Sequence, residues 1–434
     1  MDSSLALINS SCVCRKRAPF NRLFYCLVAI EFVFMQFVPT TYTSIRIALL
    51  GVITVFAIFK CKISLYKNYY PVIFFITGNL LFIIIGLLNN APGATKLITL
   101  DIIYPLIYLL LFFAIKETYC LKGFIKLVYF STIVLTIFDG LYLIALNFGL
   151  SYISAYDFVD LDMHMGESFG VGIFSSYHIE SYIFNVPFLI GALIYYRFDK
   201  RDFFMGHKTI FLFVLLASIL VSFLSSSRAL QVVIVLSIVI GIISYARLTK
   251  NKALTYLTLI LIISSVCVAY IIYATRINTF ISEFFSNFIS KKSKSVDGSQ
   301  RYIQLTALIN GWLSSPSSFI IGNGTGSFTE DCIRSLEQPW SYELSYVALL
   351  FQKGLVGFSI FLIIAIYGIR KLNKYNGYDW ITKPVLFGYI GFLTANVTDP
   401  IMAKFSYIWI YFLPFLVASL CKTDKRLKKF FHNV

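Results

Sequence analysis

The feature that most constrains this chain is a succession of apolar runs, many of them about as long as a bilayer is thick, separated by short polar segments. A hydrocarbon core of about 30 Å is crossed by roughly 20 apolar residues in an α-helix. Hydrophobic residues make up 58% of the chain and charged residues only 13%, too few to cover a water-soluble protein of this size. The pattern predicts an all-α, polytopic integral membrane protein, with residues 1–434 forming a single transmembrane domain.

On this measure the sequence predicts twelve transmembrane spans, at 23–38, 44–59, 71–88, 98–115, 127–148, 183–196, 209–224, 229–246, 253–274, 344–368, 384–397 and 405–420. With the N-terminus in the cytoplasm and the spans alternating, 26 of the 37 Lys and Arg residues fall in cytoplasmic segments. We therefore expect both termini in the cytoplasm, and we interpret the net charge of +16 as a topology signal rather than a nucleic-acid site. Basic residues at 15–17 directly precede the first span, which favours a retained signal anchor.

Two predicted outer loops are longer than simple connectors. The first, residues 149–182, carries five carboxylates and no Lys or Arg. The second, residues 275–340, lies between the ninth and tenth spans, and loops of that length are usually functional. Apolar residues at helical spacing predict an amphipathic helix over 277–289 at the membrane surface. A second helix is expected over 299–314, followed by a turn-rich stretch that begins at Pro316.

Three arginines at or beyond predicted outer span ends are candidate anion-binding residues. Arg228 ends a Ser-Ser-Ser-Arg run, where a charge is costly unless it snorkels to the interface or is paired. Arg301 is expected to open the second loop helix, where free backbone N–H groups and the helix dipole favour an anion. Arg276 lies just past the ninth span. The alternative is an interfacial anchor for Arg228 and Arg276, and a solvated loop residue for Arg301.

Glu343 lies in an aromatic segment at the predicted outer mouth of the tenth span, next to Tyr342 and near Tyr346. A carboxylate in such a half-desolvated place can act as a general base. The alternative is a glutamate at a helix N-terminus that is stabilised by the helix dipole. Lys353 lies mid-membrane if the tenth helix enters the bilayer near residue 344, but close to the outer cavity if that helix projects outward from about residue 341.

Other polar features point to hydrogen bonding and turns rather than to metal or nucleotide chemistry. The acidic first loop, with Asp162 and His178, suits a polyhydroxylated substrate better than a cation, because its spacing matches no EF-hand. Asp139, within the fifth span, is expected in a polar cavity or paired with a neighbouring helix. Gly322–Gly326 lacks the ending of a P-loop and is more typical of a tight turn. The eight scattered cysteines predict no metal site, and no cofactor is expected.

One stretch of the sequence resembles the region shared by bacterial O-antigen polymerases (Wzy) and O-antigen ligases. In those proteins an Arg-led helix is followed by a proline, a GxGxGxF-like turn and a helix ending in GLxG. The residues that carry the resemblance are Arg301, Trp312, Pro316, Ile320–Phe328 and Gly354–Gly357. The run that ends at Arg228 is similar to the SR motif of the same proteins. The motifs cover about 60 residues plus that run, and the twelve predicted spans with a large outer loop are also similar.

The resemblance implies a GT-C-like glycosyltransferase at the outer face of the bacterial inner membrane. Its donor would be a growing glycan on undecaprenyl pyrophosphate, and its acceptor a newly flipped lipid-linked repeat unit. A chain-length regulator (Wzz-like) is a further partner that the resemblance implies. The ligases carry a His-Asn pair eleven residues before the first Gly of GLxG, and this sequence has Glu343 at that position. The difference favours a polymerase over a ligase.

The expected chemistry assigns roles to the candidate residues. Glu343 would accept the proton of the acceptor hydroxyl, and Arg228, Arg301 and Arg276 would stabilise the departing pyrophosphate without a metal, with inversion at the sugar carbon. Further candidates for substrate contact are Tyr342, Tyr346, Lys353, His178 and Asp162. The alternatives are a ligase that transfers glycan to lipid A-core, a lipid-linked oligosaccharide flippase or transporter, and a scaffold protein. A transporter would show inverted repeats and ionisable residues near the midplane.

Overall fold

The described part of the chain is helical throughout. The computed structural model describes residues 19–37, 43–60, 69–118, 121–147, 181–199, 208–224, 228–249, 296–333, 336–375, 378–403 and 405–432. Within these ranges there is no β-strand, which confirms the all-α class.

Fourteen α-helices are found in the described ranges, and we number them in chain order. They are α1 Pro19–Phe37, α2 Thr43–Lys60, α3 Tyr70–Leu88, α4 Ala94–Ile98, α5 Tyr104–Thr118, α6 Leu121–Asn147, α7 Tyr182–Asp199, α8 Lys208–Leu224, α9 Arg228–Thr249, α10 Val296–Trp312, α11 Pro316–Ile321, α12 Ser345–Asn373, α13 Asp379–Ala395 and α14 Phe405–His432. A π-helical turn, Thr99–Ile103, joins α4 to α5, and 3-10 turns lie at Glu330–Cys332 and Ile401–Ala403.

Eleven of the twelve predicted spans fall on these helices, and the remaining one, 253–274, lies outside the described residues. Among the described residues, four helical stretches are long and apolar enough to cross a membrane by themselves: Tyr70–Leu88, Ala94–Phe113, Ala229–Thr249 and Ser345–Asn373. The structure therefore has the character of a membrane protein. The number of spans, the GT-C-like fold and the orientation stay predictions.

Helix α3 shows why these helices suit a bilayer rather than water. Its inner side is buried, with Phe82 only 1% exposed, whereas Leu88 on the outer side is 76% exposed. The exposed residues of its outer side are as apolar as the buried ones, and Phe74 and Ile84 are further examples. A helix that is apolar on every side needs either a protein core or lipid around it, and no described part of the chain covers the exposed side of α3.

The closest helix packing in the bundle joins α7 and α13, and glycine permits it. A Cβ atom at Gly388 would lie 2.5 Å from the Phe184 ring, and one at Gly391 would lie 2.6 Å from the Ile183 carbonyl oxygen. Small residues let helix backbones approach in this way, which is how helices associate where no hydrophobic effect drives them together. The central helix α14 is almost wholly buried from Tyr407 to Cys421.

Contacts between connecting segments divide them into two ends of the bundle. At one end, the Gly93 N–H donates to the Gly326 carbonyl at 3.2 Å, joining the α3–α4 turn to the segment before α12. At the same end, the Ser345 hydroxyl contacts the Asp399 carbonyl at 3.4 Å, joining the start of α12 to the α13–α14 connection. Strict alternation of the predicted spans places all of these segments on the predicted outer side.

The opposite end gathers the segments that alternation assigns to the predicted inner side. Tyr195, near the end of α7, hydrogen-bonds to Ser244, near the end of α9. The Lys383 ammonium donates to the Asn373 side chain at 2.7 Å, across the α12–α13 turn. These pairings are consistent with the alternation inferred from positive charge, while the assignment of either end to the cytoplasm stays a prediction.

Candidate functional site

The segment that precedes α12 forms a small core of its own. We call the described residues 296–333 and 336–344 the loop region. Leu308 of α10, Tyr342 and Phe351 are buried against one another, and Phe328 and Cys332 pack around them. The Tyr342 ring meets the Phe351 ring edge-on at 6.1 Å between centroids. The loop region is therefore anchored to the first turns of α12 by apolar packing.

The glycine-rich segment is a tight turn, as the sequence predicts, and much of its backbone is hydrogen-bonded to other parts of the protein. The N–H groups of Asn323, Gly324 and Thr325 donate to the carbonyls of Phe351, Gln352 and Phe82 at 3.0, 2.8 and 2.9 Å. A phosphate cradle needs such N–H groups to point at a ligand. These three hold the loop region against α12 and α3 instead.

The turn and the helix break next to it demand glycine. Helix α12 is interrupted at Gly354, which has φ +60° and ψ −168°. Gly322 and Gly324 also have positive φ, +78° and +92°. A Cβ atom at Gly354 would lie 2.4 Å from the Gly322 nitrogen, and one at Gly324 would lie 2.4 Å from the Gly86 Cα. Side chains other than hydrogen are excluded by both conformation and contact.

The segment that carries Glu343 is held in place by Gln352 of α12. The Gln352 amide donates to the Ser327 carbonyl at 3.2 Å and to the Trp340 carbonyl at 3.3 Å. The Lys96 ammonium lies 5.0 Å from the centroid of the Trp340 ring, a cation–π contact from the α3–α4 side. These contacts position the segment 336–344 above the broken helix.

Arg301 and Glu343, predicted separately from the sequence, meet in the structure. The Arg301 Nε donates to the Glu343 Oε2 at 2.7 Å across 42 residues of sequence. The Arg301 side chain is 46% exposed and the Glu343 side chain 20% exposed. Arg301 is thus open to solvent, whereas the Glu343 side chain is mostly covered.

Gln304 is a residue of this site that sequence reasoning missed. It is buried in α10, and its side-chain oxygen accepts from the N–H groups of Glu343 and Leu344 at 2.9 and 3.1 Å. Residues three apart lie on one helix face, so Gln304 and Arg301 approach Glu343 together. That spacing was the available signal, since an Arg-x-x-Gln face can hold both the backbone and the side chain of one residue.

Two local predictions are corrected by the helix boundaries. Helix α10 begins at Val296, so Arg301 lies beyond its first turn rather than at its start, and the free N–H groups of a helix end are not beside it. Pro316 begins a short helix, α11, instead of a turn-rich stretch. Ser315 caps that helix, with Ser315 and Ser318 exchanging side-chain and backbone hydrogen bonds, and proline suits the first helical position.

The two tyrosines near Glu343 are held by the protein. Tyr342 is 5% exposed and its hydroxyl accepts from the Thr329 N–H at 3.2 Å. Burial raises the pKa of Tyr342 above its ordinary range, so the hydroxyl stays protonated. The Tyr346 hydroxyl donates to the Leu393 carbonyl of α13. A direct contact of either tyrosine with substrate stays a prediction, and for Tyr342 the ring would have to be uncovered.

Lys353 is paired within the helical bundle. Its ammonium donates to the Asp101 carboxylate at 2.7 Å and to the Asn79 side-chain oxygen at 2.8 Å. All three side chains are at least nine-tenths buried, and Asp101 lies in the π-helical turn between α4 and α5. The sequence places Lys353 either mid-membrane or close to the outer cavity, and it did not single out Asp101. The structure joins the two residues inside the bundle.

The other predicted site residues, or their side chains, lie outside the described part of the structure. Arg276, His178 and Asp162 lie outside the described residues, as do most of loop 149–182 and residues 275–295. Arg228 begins α9 and Asp139 lies in α6, but the directions of their side chains are outside the described part. Their predicted roles stay predictions.

The sequence matches no model of a known protein family, and no curated protein matches it.

Proposed function

We propose that this chain is a membrane glycosyltransferase of the O-antigen polymerase type. The observation that supports it most is the contact between Arg301 and Glu343, a cation and a carboxylate that the sequence resemblance marks separately. Both residues lie on the predicted outer side, at the point where α12 meets the loop region. Transfer of a glycan from a polyprenyl pyrophosphate needs these two kinds of group in one place.

In the proposed reaction, an acceptor hydroxyl of a lipid-linked repeat unit attacks the anomeric carbon of the donor glycan. The new bond is carbon to acceptor oxygen, and the bond that breaks is carbon to pyrophosphate oxygen. The Glu343 carboxylate takes the hydroxyl proton, and undecaprenyl pyrophosphate leaves with the electron pair. Arg301, joined by Arg228 and Arg276, stabilises the charge that develops on the pyrophosphate, and the anomeric configuration is inverted.

The resting ion pair suits such a reaction because its partners can separate. Arg301 is nearly half exposed, so a pyrophosphate can reach the guanidinium without unfolding the loop region. A guanidinium can bind two phosphate oxygens with two parallel hydrogen bonds. A phosphate is therefore a better partner for Arg301 than Glu343, with which Arg301 makes a single hydrogen bond. Once the guanidinium turns to the donor, the carboxylate loses the charge of Arg301 and becomes a stronger base. Donor binding would therefore prepare the base.

Glu343 keeps its place during this exchange because its backbone is held independently. Gln304 accepts two hydrogen bonds from the Glu343 and Leu344 N–H groups, and neither involves the Glu343 carboxylate. The Tyr342 ring, next in sequence, is buried in the small core. A general base must stay within hydrogen-bonding reach of the proton it removes, and these anchors supply that constraint.

The test is a strain that lacks this gene, complemented with wild type, Arg301→Ala, Arg228→Ala or Glu343→Gln, with the membrane level of each protein measured. We expect the three variants to leave single repeat units on the lipopolysaccharide while the protein remains in the membrane. Loss of a general base or of a charge stabiliser reduces the rate by about 10²–10⁴-fold. Glu337→Gln, an exposed carboxylate of the same loop region, is the matched control and should give a normal ladder.

Other outcomes assign other functions. Accumulation of finished polymer on its lipid carrier would replace the polymerase with a ligase. A gene that is dispensable for both ladder and capping, or three variants that behave as wild type, would remove the glycosyltransferase proposal altogether.

A second candidate function, transport of a lipid-linked oligosaccharide, is favoured by one observation. The Lys353–Asp101 pair, with Asn79, is an ionisable cluster buried inside the helical bundle, and such clusters mark transport paths in membrane carriers. Protein reconstituted in liposomes with a fluorescent lipid-linked oligosaccharide separates the two functions. A transporter would move the lipid and would lose that ability in Asp101→Asn protein that is shown to remain folded, but not in Glu343→Gln, and the proposed polymerase would move none.

A further inference from the structure

A polar cleft of about 530 Å³ lies beside the glycine turn, away from the Arg301–Glu343 pair. It opens between the end of α10, the turn that follows α11 and the end of α3. Its polar lining residues are Asn89, Ser314, Asn323, Ser327 and Thr329, and Phe328 adds an aromatic face. The volume falls within the roughly 300–1,000 Å³ typical of small-ligand sites.

Four side chains of this lining donate hydrogen bonds within the protein. The Asn89 amide donates to the Asn323 carbonyl at 3.0 Å, and the Asn323 amide donates to the Gly311 and Phe351 carbonyls at 3.2 and 3.1 Å. The Ser327 hydroxyl donates to the Asn323 carbonyl at 2.6 Å, and the Ser314 hydroxyl to the Gly311 carbonyl at 2.9 Å.

After these bonds are made, the lining still offers hydrogen-bond acceptors. An asparagine that has spent its N–H groups still has a side-chain oxygen with two lone pairs, and a hydroxyl that donates can still accept. Among the described residues that line the cleft, none is Lys, Arg, Asp or Glu. An anion would find no cation among these residues. A ligand rich in O–H donors would find acceptors, and Phe328 can cover the apolar face of a sugar ring.

We propose that this cleft binds neutral sugar residues of a glycan. The assignment of that glycan as the growing polymer rests on the proposed polymerase function, whereas the preference for neutral over anionic carbohydrate follows from the lining alone. The cleft and the ion pair belong to the same loop region, joined by α10. A glycan whose reducing end lies at Arg301 would thus be held at a second place, so that repeated additions occur without release.

The purified full chain, in lipid nanodiscs, is tested on an array of defined neutral oligosaccharides and of oligosaccharides that carry uronic acid, sulfate or phosphate. Ser314→Trp fills the cleft. Ser317→Trp is the matched control, because Ser317 is equally exposed three residues away and does not line the cleft. We expect wild type, Ser317→Trp and Glu343→Gln to retain neutral oligosaccharides in preference to anionic ones, and Ser314→Trp to lose at least tenfold in affinity.

A second measurement avoids the large side chain. In Ser314→Cys the new thiol should be protected from a maleimide reagent by the neutral oligosaccharide that the array selects, while Ser317→Cys stays unprotected. The proposal is overturned if wild type retains no neutral oligosaccharide, if anionic ones bind better, or if neither Ser314 variant differs from its Ser317 control.

Product ladders in cells then show whether the sugar in the cleft belongs to the growing chain or to the incoming repeat unit. Shorter polymers from Ser314→Trp assign the cleft to the growing chain, and single repeat units assign it to the incoming repeat. A normal ladder despite lost binding overturns a role in polymerisation. If the array result holds but the gene proves dispensable for polymer, the cleft stands and the proposed function falls. If Glu343→Gln abolishes polymer but the array is blank, the reverse is true.

Discussion

Two ion pairs with the same separation occupy opposite environments in this molecule. Lys353 and Asp101 lie 2.7 Å apart with side chains 9% and 10% exposed, and Arg301 and Glu343 lie 2.7 Å apart with side chains 46% and 20% exposed. The buried pair has a third partner, Asn79. The exposed pair lies within the loop region. Distance alone therefore says little about what each pair does.

The difference in surroundings decides the difference in role. A buried charge that loses its partner cannot be solvated by water, so the Lys353–Asp101 pair must stay closed for the bundle to stay folded. Water can solvate Arg301 whenever it leaves Glu343, so the exposed pair contributes little to stability and is free to exchange its partner for a ligand. The first pair holds the break in α12 in place, and the second can act on a substrate above it.

The largest effect is expected when the buried pair is broken. Lys353→Met leaves the Asp101 carboxylate buried without a countercharge, which costs about 3–5 kcal/mol of unfolding free energy. Denaturant unfolding of the purified protein in detergent measures the loss. Lys383→Met removes an exposed lysine at the α12–α13 turn and should change stability by less than about 0.5 kcal/mol.

The same experiment has an internal check. Adding Asp101→Leu to Lys353→Met removes the stranded charge, and the double variant should regain most of the lost stability, because apolar replacement of a whole buried pair is often neutral. If Lys353→Met alone unfolds no more easily than Lys383→Met, the buried pair is not a structural element and the contrast between the two pairs fails.

The helix break next to Lys353 should be almost as sensitive. Gly354→Ala forces a side chain into a φ of +60° and brings its Cβ to 2.4 Å from the Gly322 nitrogen. The backbone strain alone is worth about 1–3 kcal/mol. Gly51→Ala is the matched control, since a Cβ there meets nothing within 4 Å and alanine favours a helix by about 1 kcal/mol. Thermal unfolding should place the two variants on opposite sides of wild type.

The sequence predicts the helical class and a helix at eleven of its twelve expected span positions, since these depend on local hydrophobicity. It also predicts α10 to within a few residues, and it marks Arg301 and Glu343. Glu343 stands out as a charge in an aromatic segment, and Arg301 stands out by its expected place at a helix start and by the family resemblance. Their contact at 2.7 Å could not be derived without the fold.

The features that were missed share one cause, which is sequence distance. Asp101 lies 252 residues from Lys353, and it looked like an ordinary residue at the start of an apolar run. Gln304 was passed over because a neutral amide, even three residues from Arg301 on one helix face, gives only a weak signal until its partner, the Glu343 backbone 39 residues away, is known. The partner of a polar residue in a membrane helix can be named only when the neighbouring helix is known. Local sequence patterns do not give the arrangement of helices in the bundle.

Breaking the exposed pair should cost little stability. Arg301→Ala and Glu343→Gln are each expected to change the unfolding free energy by less than about 1 kcal/mol. A double-mutant cycle should give a coupling of about 0–1 kcal/mol that shrinks further as salt is raised from 0.05 to about 0.5 M, because exposed charges are screened. A coupling of about 3 kcal/mol or more would make the pair structural and would weaken the proposed exchange with pyrophosphate.

The last prediction concerns the small core next to the exposed pair, and Cys332 reports on it. Burial, with the nearby Asp331 charge, raises the pKa of the Cys332 thiol from 9.0 to about 11. The folded state therefore favours the protonated thiol, and this contribution to stability is complete below pH 9 and is lost as pH rises toward 11. At pH 8 the thiolate is about a hundredfold scarcer than in an ordinary thiol of pKa 9, so iodoacetamide should react about a hundredfold more slowly.

A variant that keeps only Cys332 among the cysteines makes that rate measurable. Tyr342→Ala opens the small core and should bring the rate near that of an ordinary thiol, since Tyr342 packs against the same residues as Cys332. Arg301→Ala should change the rate by less than about twofold, because Gln304 and the core hold the segment without the ion pair. Were Arg301→Ala to expose Cys332 as Tyr342→Ala does, the pair would be holding the loop region shut. Exchange of the guanidinium would then move the Glu343 backbone along with its charge.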